Sequence, residues 1–334
     1  MHRSGDDQEE SRTLPPVREW QQLTADAVRE IERRSWRRAG VFFLVTLLST
    51  FTVGAGMAAS TLDRPPTLLD GWIFAVPLLI ILLCHEFGHY LQARRHGVAV
   101  SPPYFIPFPN FIGTIGAFIS IRSPIPNRRV LFDISAAGPL AGFVPSVIAL
   151  LIGYQLSTVA PMVTGLDVLE FGDSLLTLGI QHLLIGPVPE GFEVWIHPIG
   201  LAGWVGLFVT MLNLIPIGTL DGGHLAYAFL GRRQWLVGRL VFLGMFVLGI
   251  TVSWLWLGFP FVFSLMIGIT WVFMRLTRKT DTHFIEFWKG LLLKHPPVPD
   301  ESPLDGKRRM VGWICLAIFV LCFIPVPLRL ILAG

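Results

Sequence analysis

The sequence contains few charged residues for its length. Only 15% of its 334 residues are Asp, Glu, Lys or Arg, against about 25% in an average soluble domain. Hydrophobic residues make up 52%, and the mean hydropathy is +0.61. A soluble protein of this size cannot bury so much apolar surface, so lipid must be the solvent for part of the chain. The composition therefore excludes a disordered chain and argues against an ordinary soluble domain.

Cysteine is also scarce, and neither sign of charge dominates. The sequence has no CxxC pair. Its three cysteines all lie in apolar runs, at Cys84, Cys315 and Cys322. They offer no disulfide framework, and we interpret them as small core residues. The formal net charge of +3 is too small to indicate a nucleic-acid partner, so none is predicted.

Long apolar runs predict an all-α polytopic membrane protein with about six or seven transmembrane helices. A helix needs roughly 20 apolar residues to cross a bilayer. Stretches that reach or approach this length are residues 39–60, 71–93, 134–156, 197–217, 235–257, 259–275 and 310–332. The fifth and sixth are separated by little more than Gly258 and Pro260, so they form either a hairpin or one broken helix. The shorter run 174–186 is interpreted as an interfacial or re-entrant helix.

The positions of Lys and Arg predict the orientation of these spans. They are concentrated in alternate loops, and the positive-inside rule places those loops in the cytoplasm. The loop 157–196 has five acidic residues and no Lys or Arg, which fits the opposite side. The expected topology has its N-terminus inside and its C-terminus outside. The predicted location is the bacterial inner membrane.

The same reading divides the chain into segments. A basic cytoplasmic segment at 1–38, helical over 18–38, precedes a membrane core at 39–275. A proline-rich cytoplasmic linker at 276–309 and a C-terminal transmembrane helix within 310–334 follow the core. The motifs described next all fall within 71–231.

The second span contains ionisable residues, which are costly in lipid. Each costs about 2.5–3.5 kcal/mol on insertion scales, so such residues are functional candidates. His85, Glu86 and His89 form an HExxH motif. Positions i and i+4 share a helical face, so the two imidazoles can bind one zinc ion, with Glu86 placed as the base that activates water. The alternative is a polar cluster packed without metal.

A third zinc ligand is expected from another polar residue at the same depth. Asp221 follows the fourth span, in the run Asn213-Leu-Ile-Pro-Ile-Gly-Thr-Leu-Asp-Gly-Gly-His224. The second and fourth spans run in the same direction, so Asp221 meets the HExxH level. The alternatives are a helix N-cap role for Asp221 and metal binding by His224. Asn213 is predicted to steady an oxyanion, or else to make an interhelical hydrogen bond.

These motifs resemble the site-2 protease family of intramembrane zinc metalloproteases, of the M50 type, in the branch without a PDZ domain. The resemblance also includes residues 113–129 and 133–142, and it covers nearly half of the chain. It implies that His85, His89 and Asp221 hold one zinc ion and that Glu86 is the catalytic base. It also implies that Asn213 assists at the oxyanion.

Residues 98–123 predict a β-like element between the second and third spans. Prolines forbid a regular helix in its first half, and they are Pro102, Pro103, Pro107 and Pro109. We interpret the β-leaning run 114–121 as a re-entrant element whose edge holds the substrate extended by β-augmentation. The alternative is a plain amphipathic loop. Gly138 and Gly142 form a GxxxG pattern, which indicates a close helix contact.

The predicted function is that of an intramembrane zinc metalloendopeptidase, with its site near the cytoplasmic face. Its substrates would be transmembrane proteins bound in extended form from the lipid bilayer. The role would be regulated intramembrane proteolysis or clearance of membrane remnants. A metal transporter and a non-catalytic relative are the alternatives, but no internal repeat of the transporter kind is visible in the sequence. The sequence does not predict the oligomeric state.

Overall fold

The computed structural model describes residues 17–59, 64–162, 168–255 and 298–331. The predicted span 259–275 and most of the predicted linker 276–309 lie outside these residues. The helices are α1 Val17–Ala58, α2 Trp72–Arg95, α3 Arg128–Leu156, α4 Leu175–Leu184, α5 Pro198–Leu214, α6 Asp221–Leu230, α7 Gln234–Leu255 and α8 Gly306–Cys322. Short 3₁₀ turns at Leu68–Gly71 and Gly231–Arg233 precede α2 and α7.

The described strands form three antiparallel pairs. β1 Tyr104–Pro107 pairs with β2 Thr114–Phe118, β3 Thr158–Pro161 with β5 Phe192–Trp195, and β4 Val168–Phe171 with β6 Leu328–Ile331. The model is therefore mostly helical, and the predicted β element between the second and third spans is present as the β1–β2 hairpin.

Among the described residues, three helices are long and apolar enough to cross a membrane. They are Glu32–Ala58, Leu68–Arg95 and Arg128–Leu156. Two shorter apolar helices, Leu175–Leu184 and Pro198–Leu214, match the predicted interfacial helix and the predicted fourth span in position. The polytopic helical class is supported, while the total of six or seven spans stays a prediction.

The chain differs from the expected boundaries at both ends. The basic segment and the first span form one continuous helix, α1, rather than separate segments. The C-terminal helix ends at Cys322, ten residues before the predicted end at 332. Pro325 and Pro327 follow it, and proline cannot continue a helix. The chain then returns as β6 to pair with β4.

The helices α2, α3 and α5 enclose the main core. Its largest fully buried side chains include Phe74 and Leu78 of α2, Phe132 and Leu150 of α3, and Leu207 of α5. Both α2 and α5 pack on α3. As a result, the C-terminal half of α2 lies next to the segment that follows α5.

The β1–β2 hairpin and the residues that follow it contact α1 at several points. Phe43 of α1 lies edge-on to Phe105 of β1, with ring centroids 5.1 Å apart. Nearer the start of α1, the buried Ser35 hydroxyl accepts a hydrogen bond of 2.6 Å from the Arg122 guanidinium. Gly113, in the hairpin turn, has a φ of +81° and packs so close to the α1 backbone that a Cβ would lie 2.9 Å from Ser49.

Candidate metal centre

Three potential ligands converge at the junction of α2 and α6. His85 and His89 lie one turn apart on α2 and are both buried. Their Nε2 atoms are 3.2 Å apart. Oδ2 of Asp221, the first residue of α6, is 3.5 Å from His85 Nε2 and 3.1 Å from His89 Nε2. These three residues are the ones that lie close enough to hold a metal ion in the described part of the chain.

The distances fit a shared zinc ion. With zinc–ligand bonds of about 2.0–2.1 Å, the ligand atoms of a tetrahedral site are about 3.3 Å apart. The three observed separations, 3.1, 3.2 and 3.5 Å, bracket that value. Two imidazole nitrogens and a carboxylate oxygen are a donor set that zinc prefers. Three side chains leave a fourth position for water or substrate, as in catalytic zinc sites.

A backbone carbonyl sets the tautomer of His89. The His89 Nδ1–H donates a 2.8 Å hydrogen bond to the carbonyl oxygen of Ile134 in α3. With its proton on Nδ1, the ring presents the Nε2 lone pair to the site. Two acceptors, His89 Nε2 and the Asp221 carboxylate, then face each other at 3.1 Å. A proton or a metal ion between these two atoms would satisfy both, so the contact is compatible with a shared zinc ion.

Small residues let α3 approach the two imidazoles. Gly138 faces His89, and any Cβ at this position would collide with the imidazole ring. Gly142 faces His85, where a Cβ would lie 3.1 Å from the His85 Cβ. The predicted GxxxG contact is therefore confirmed, and it is a contact with the two histidine side chains rather than with a bare helix surface.

A turn between α5 and α6 places Asp221 next to α2. Between α5 and α6 the chain turns at Ile215 to Leu220, and Leu220 rather than Asp221 is the N-cap of α6. The N-cap alternative for Asp221 is therefore wrong. The backbone of Gly222 packs on the carbonyl oxygens of Leu214 and Ile215, and Gly223 packs on that of Ile217. A Cβ at either glycine would collide with these carbonyl oxygens, so the close packing of the turn that precedes Asp221 depends on both glycines.

Glu86, Asn213 and His224 lie at the same cavity. This cavity, of about 190 Å³, is lined by His85, Glu86, His89, Ala117, Phe118, Ile119, Ile121, Ile134, Ser135, Asn213, Thr219, Leu220, Asp221 and His224. Glu86 is buried. The Asn213 amide nitrogen lies 3.3 Å from His85 Nε2. The structure thus gathers all five predicted site residues, and His224, around one space.

The geometry agrees with a family-level match. Residues 73–250, just over half of the chain, match the model of peptidase family M50. The chain belongs to peptidase family M50. The matched region runs from the second residue of α2 to beyond α6 and therefore contains every candidate site residue.

Curated relatives of this M50 chain are named as zinc proteases. It is 34% identical over 221 residues to the probable zinc metalloprotease EGY2, chloroplastic, of Oryza sativa subsp. indica, covering 65% of this chain and 40% of the relative. It is 38% identical over 182 residues to the probable zinc metalloprotease EGY1, chloroplastic, of Arabidopsis thaliana, covering 52% and 33%. The chain thus spans about a third to two fifths of these relatives. They are chloroplastic by name, so they do not support the expected bacterial inner membrane.

Sequence reasoning missed parts of this candidate site. The Ile134 carbonyl is a backbone group and leaves no signal in the residue type. Ser135, Thr219 and the hairpin residues Ala117 to Ile121 also line the cavity. A signal for the hairpin existed in the β-leaning run after the prolines, and it predicted a strand near the site without naming the lining residues.

The contact between α2 and α3 predicts the effect of one added methyl group. Gly138→Ala is expected to lower zinc affinity at least tenfold, because the Cβ displaces the His89 ring. Overpacking of this kind costs about 1–3 kcal/mol of unfolding free energy. Chelator competition and thermal unfolding of the purified protein measure both effects. Gly179→Ala in α4 is the control, since its Cβ would meet open space. Wild-type zinc affinity in Gly138→Ala would contradict the assignment.

Proposed function

We propose that this chain is a membrane-embedded zinc metalloendopeptidase that hydrolyses peptide bonds in or near transmembrane segments of other membrane proteins. The observation that carries the proposal is the convergence of His85, His89 and Asp221, whose ligand atoms lie 3.1–3.5 Å apart on apolar helices. Glu86, beside them, can act as a general acid and base. A metal transporter would not need such a group. The names of the relatives support the same chemistry.

The catalytic roles follow from the chemistry of the residues. A zinc ion held by His85, His89 and Asp221 would supply a Lewis acid that acidifies water and polarises a peptide carbonyl. Glu86 takes a proton from the attacking water and delivers it to the leaving amine. Asn213 offers amide N–H groups at the cavity wall to the oxygen that gains negative charge. The buried setting strengthens these interactions because little water competes with them.

The hairpin offers an edge for an extended substrate. Past β2, the Arg122 N–H donates to the Ala99 carbonyl, and the Ser120 carbonyl accepts from the Ser101 N–H. Because backbone groups alternate along a strand, those of Ile119 and Ile121 point to the opposite edge. Both residues line the metal cavity. This supports β-augmentation, in which a segment of a transmembrane substrate is held as an added strand beside the metal.

A proline at this edge tests the strand model. Ile119→Pro removes the outward N–H, and one lost hydrogen bond of about 0.5–1.5 kcal/mol should raise KM roughly 3- to 10-fold. Zinc content should stay at the wild-type level. Ile119→Val, which keeps the N–H, is the matched control. An unchanged KM for Ile119→Pro, with zinc retained, would rule out substrate pairing at this edge.

We further propose that the site lies near the membrane face that carries the basic loops. Arg94 and Arg95 are exposed and end α2, one to two turns beyond His89. Positive residues flank membrane spans on the cytoplasmic side. These two arginines therefore support a position of the site near the cytoplasmic face. The proposed role is regulated intramembrane proteolysis or clearance of membrane remnants. Comparing the membrane proteomes of wild-type and Glu86→Gln cells would separate one accumulating substrate from many.

Reconstituted proteolysis tests the proposed function. The purified chain in lipid vesicles should cleave a fluorescent single-span peptide, and a zinc chelator should abolish cleavage until zinc is restored. Cleavage that persists after complete metal removal would overturn the zinc mechanism. Stoichiometric zinc without cleavage of any single-span peptide, together with zinc flux across the vesicle membrane, would favour a transporter.

A further inference from the structure

We propose that Arg308, in the C-terminal helix α8, is a positioning residue for the metal ligand His89. It would act through Asp133, which lies in the second turn of α3. This inference rests on the proposed zinc site. Arg308 falls outside the region 73–250 that matches the family, and its link to the site comes from the fold alone.

Arg308 and Asp133 form a two-pronged ion pair between residues 175 positions apart. The Arg308 Nε donates to Asp133 Oδ1 at 2.8 Å, and Nη2 donates to Asp133 Oδ2 at 2.6 Å. The Asp133 side chain is only 13% exposed, and that of Arg308 is 28% exposed. Bidentate arginine–carboxylate pairs combine strength with a fixed geometry, so this one ties α8 to a defined point of α3.

A second contact ties the same carboxylate to α2. The His96 imidazole, just past the end of α2, lies 3.0 Å from Asp133 Oδ2. His96 follows His89 by seven residues, which is two helical turns, so both face α3 from the same side of α2. Asp133 is therefore the point at which α2, α3 and α8 meet.

The meeting point lies directly beside the group that orients His89. Asp133 precedes Ile134, whose carbonyl oxygen accepts the 2.8 Å hydrogen bond from His89 Nδ1. Any shift of the second turn of α3, which contains both residues, moves this carbonyl. The His89 Nε2 atom would then leave the position at which it faces Asp221, 3.1 Å away.

The N-terminus of α8 is itself fixed, so Arg308 is presented rigidly. Asp305 caps the helix by accepting from the Arg308 backbone N–H at 3.1 Å, and its carboxylate also pairs with the guanidinium. These hydrogen bonds from Arg308 hold the pKa of the Asp305 carboxyl below its usual range. Further along α8, Cys315, Ile318 and Cys322 are buried in the main core.

The test compares zinc affinities of variants of the 334-residue chain by chelator competition, at a temperature at which every metal-free variant is folded. Arg308→Gln should bind zinc about tenfold more weakly, since support of a metal ligand is typically worth 10- to 100-fold. Arg308→Lys keeps the positive charge but loses the two-pronged hydrogen bonding of the guanidinium. Its zinc affinity should therefore lie between those of Arg308→Gln and the wild type. Arg309→Gln, an exposed neighbour with no ion pair among the described residues, should stay within twofold of wild type.

Two further measurements separate positioning from general stability. Asp133→Asn combined with Arg308→Gln should be no weaker in zinc binding than the weaker single variant, because both changes remove the Arg308–Asp133 pair. Asp133→Asn also alters the contact with His96, and this loss is already present in that single variant. Saturating zinc should restore the activity of Arg308→Gln. Because every metal-free variant is folded at the assay temperature, this recovery would report occupancy of the metal site rather than refolding driven by zinc. Zinc affinities of Arg308→Gln and Arg308→Lys within twofold of wild type would overturn the inference. If Arg308→Gln does not fold, Arg308→Lys alone decides. A wild-type chain that binds no zinc would instead overturn the proposed function.

Discussion

Replacing Glu86 with glutamine is expected to reduce peptide-bond cleavage by about 10²–10⁴-fold, the usual contribution of a positioned general base. The amide has nearly the size of the carboxylate and keeps the packing of a buried position on α2. It cannot accept a proton from water or return one to the leaving amine. The proposed ligands His85, His89 and Asp221 are untouched, so zinc content should equal that of the wild type.

The measurement is a single-span peptide cleavage assay run beside metal analysis of the same preparation. Glu190→Gln, the same change at an exposed loop position, is the control and should leave both readouts unchanged. A Glu86→Gln protein that loses zinc would show that Glu86 supports the metal instead. Cleavage at the wild-type rate with full zinc would exclude Glu86 as the base.

The local part of the site could be predicted from the sequence because helical periodicity is a strong constraint. His85 and His89 are four residues apart in an apolar run, so one helix places both imidazoles on one face whatever the surroundings. The depth match of Asp221 followed from counting spans and their directions. The structure brings these three side chains together as that argument requires.

Groups that act through the backbone or through distant pairing could not be predicted. The Ile134 carbonyl orients His89, yet any residue type provides a carbonyl. The Arg308–Asp133 pair joins positions 175 residues apart, and neither residue stands out among the charges of its own segment. The pairing of β4 with β6 likewise depends on the path of the chain after α8, which local propensity does not encode.

The GxxxG pattern predicted a contact but not the side chains that make it. Gly138 and Gly142 predicted a close helix contact, and α3 does approach α2 at these positions. The pattern alone did not reveal that the partners are the imidazoles of His89 and His85. The identity of these partners gives the glycines a second role, because they leave room for the two proposed metal ligands as well as for helix packing.

Replacing Asp221 with alanine is expected to weaken zinc binding by about 100-fold or more, a larger loss than removal of a supporting group. The carboxylate is the only anionic member of the proposed ligand set, and it lies 3.1 Å from His89 Nε2. Without it, His85 and His89 supply two neutral ligands, one fewer than a catalytic zinc site normally has. Activity should fall with the metal.

His224→Ala is the matched variant for this prediction. His224 lies one turn after Asp221 on α6 and lines the same cavity, so it is the competing candidate for third ligand. Chelator competition on both variants distinguishes the two assignments. Zinc affinity lost in Asp221→Ala and kept in His224→Ala supports the carboxylate. The reverse result would assign the third ligand to His224, because a ligand cannot be removed without cost to the metal it holds.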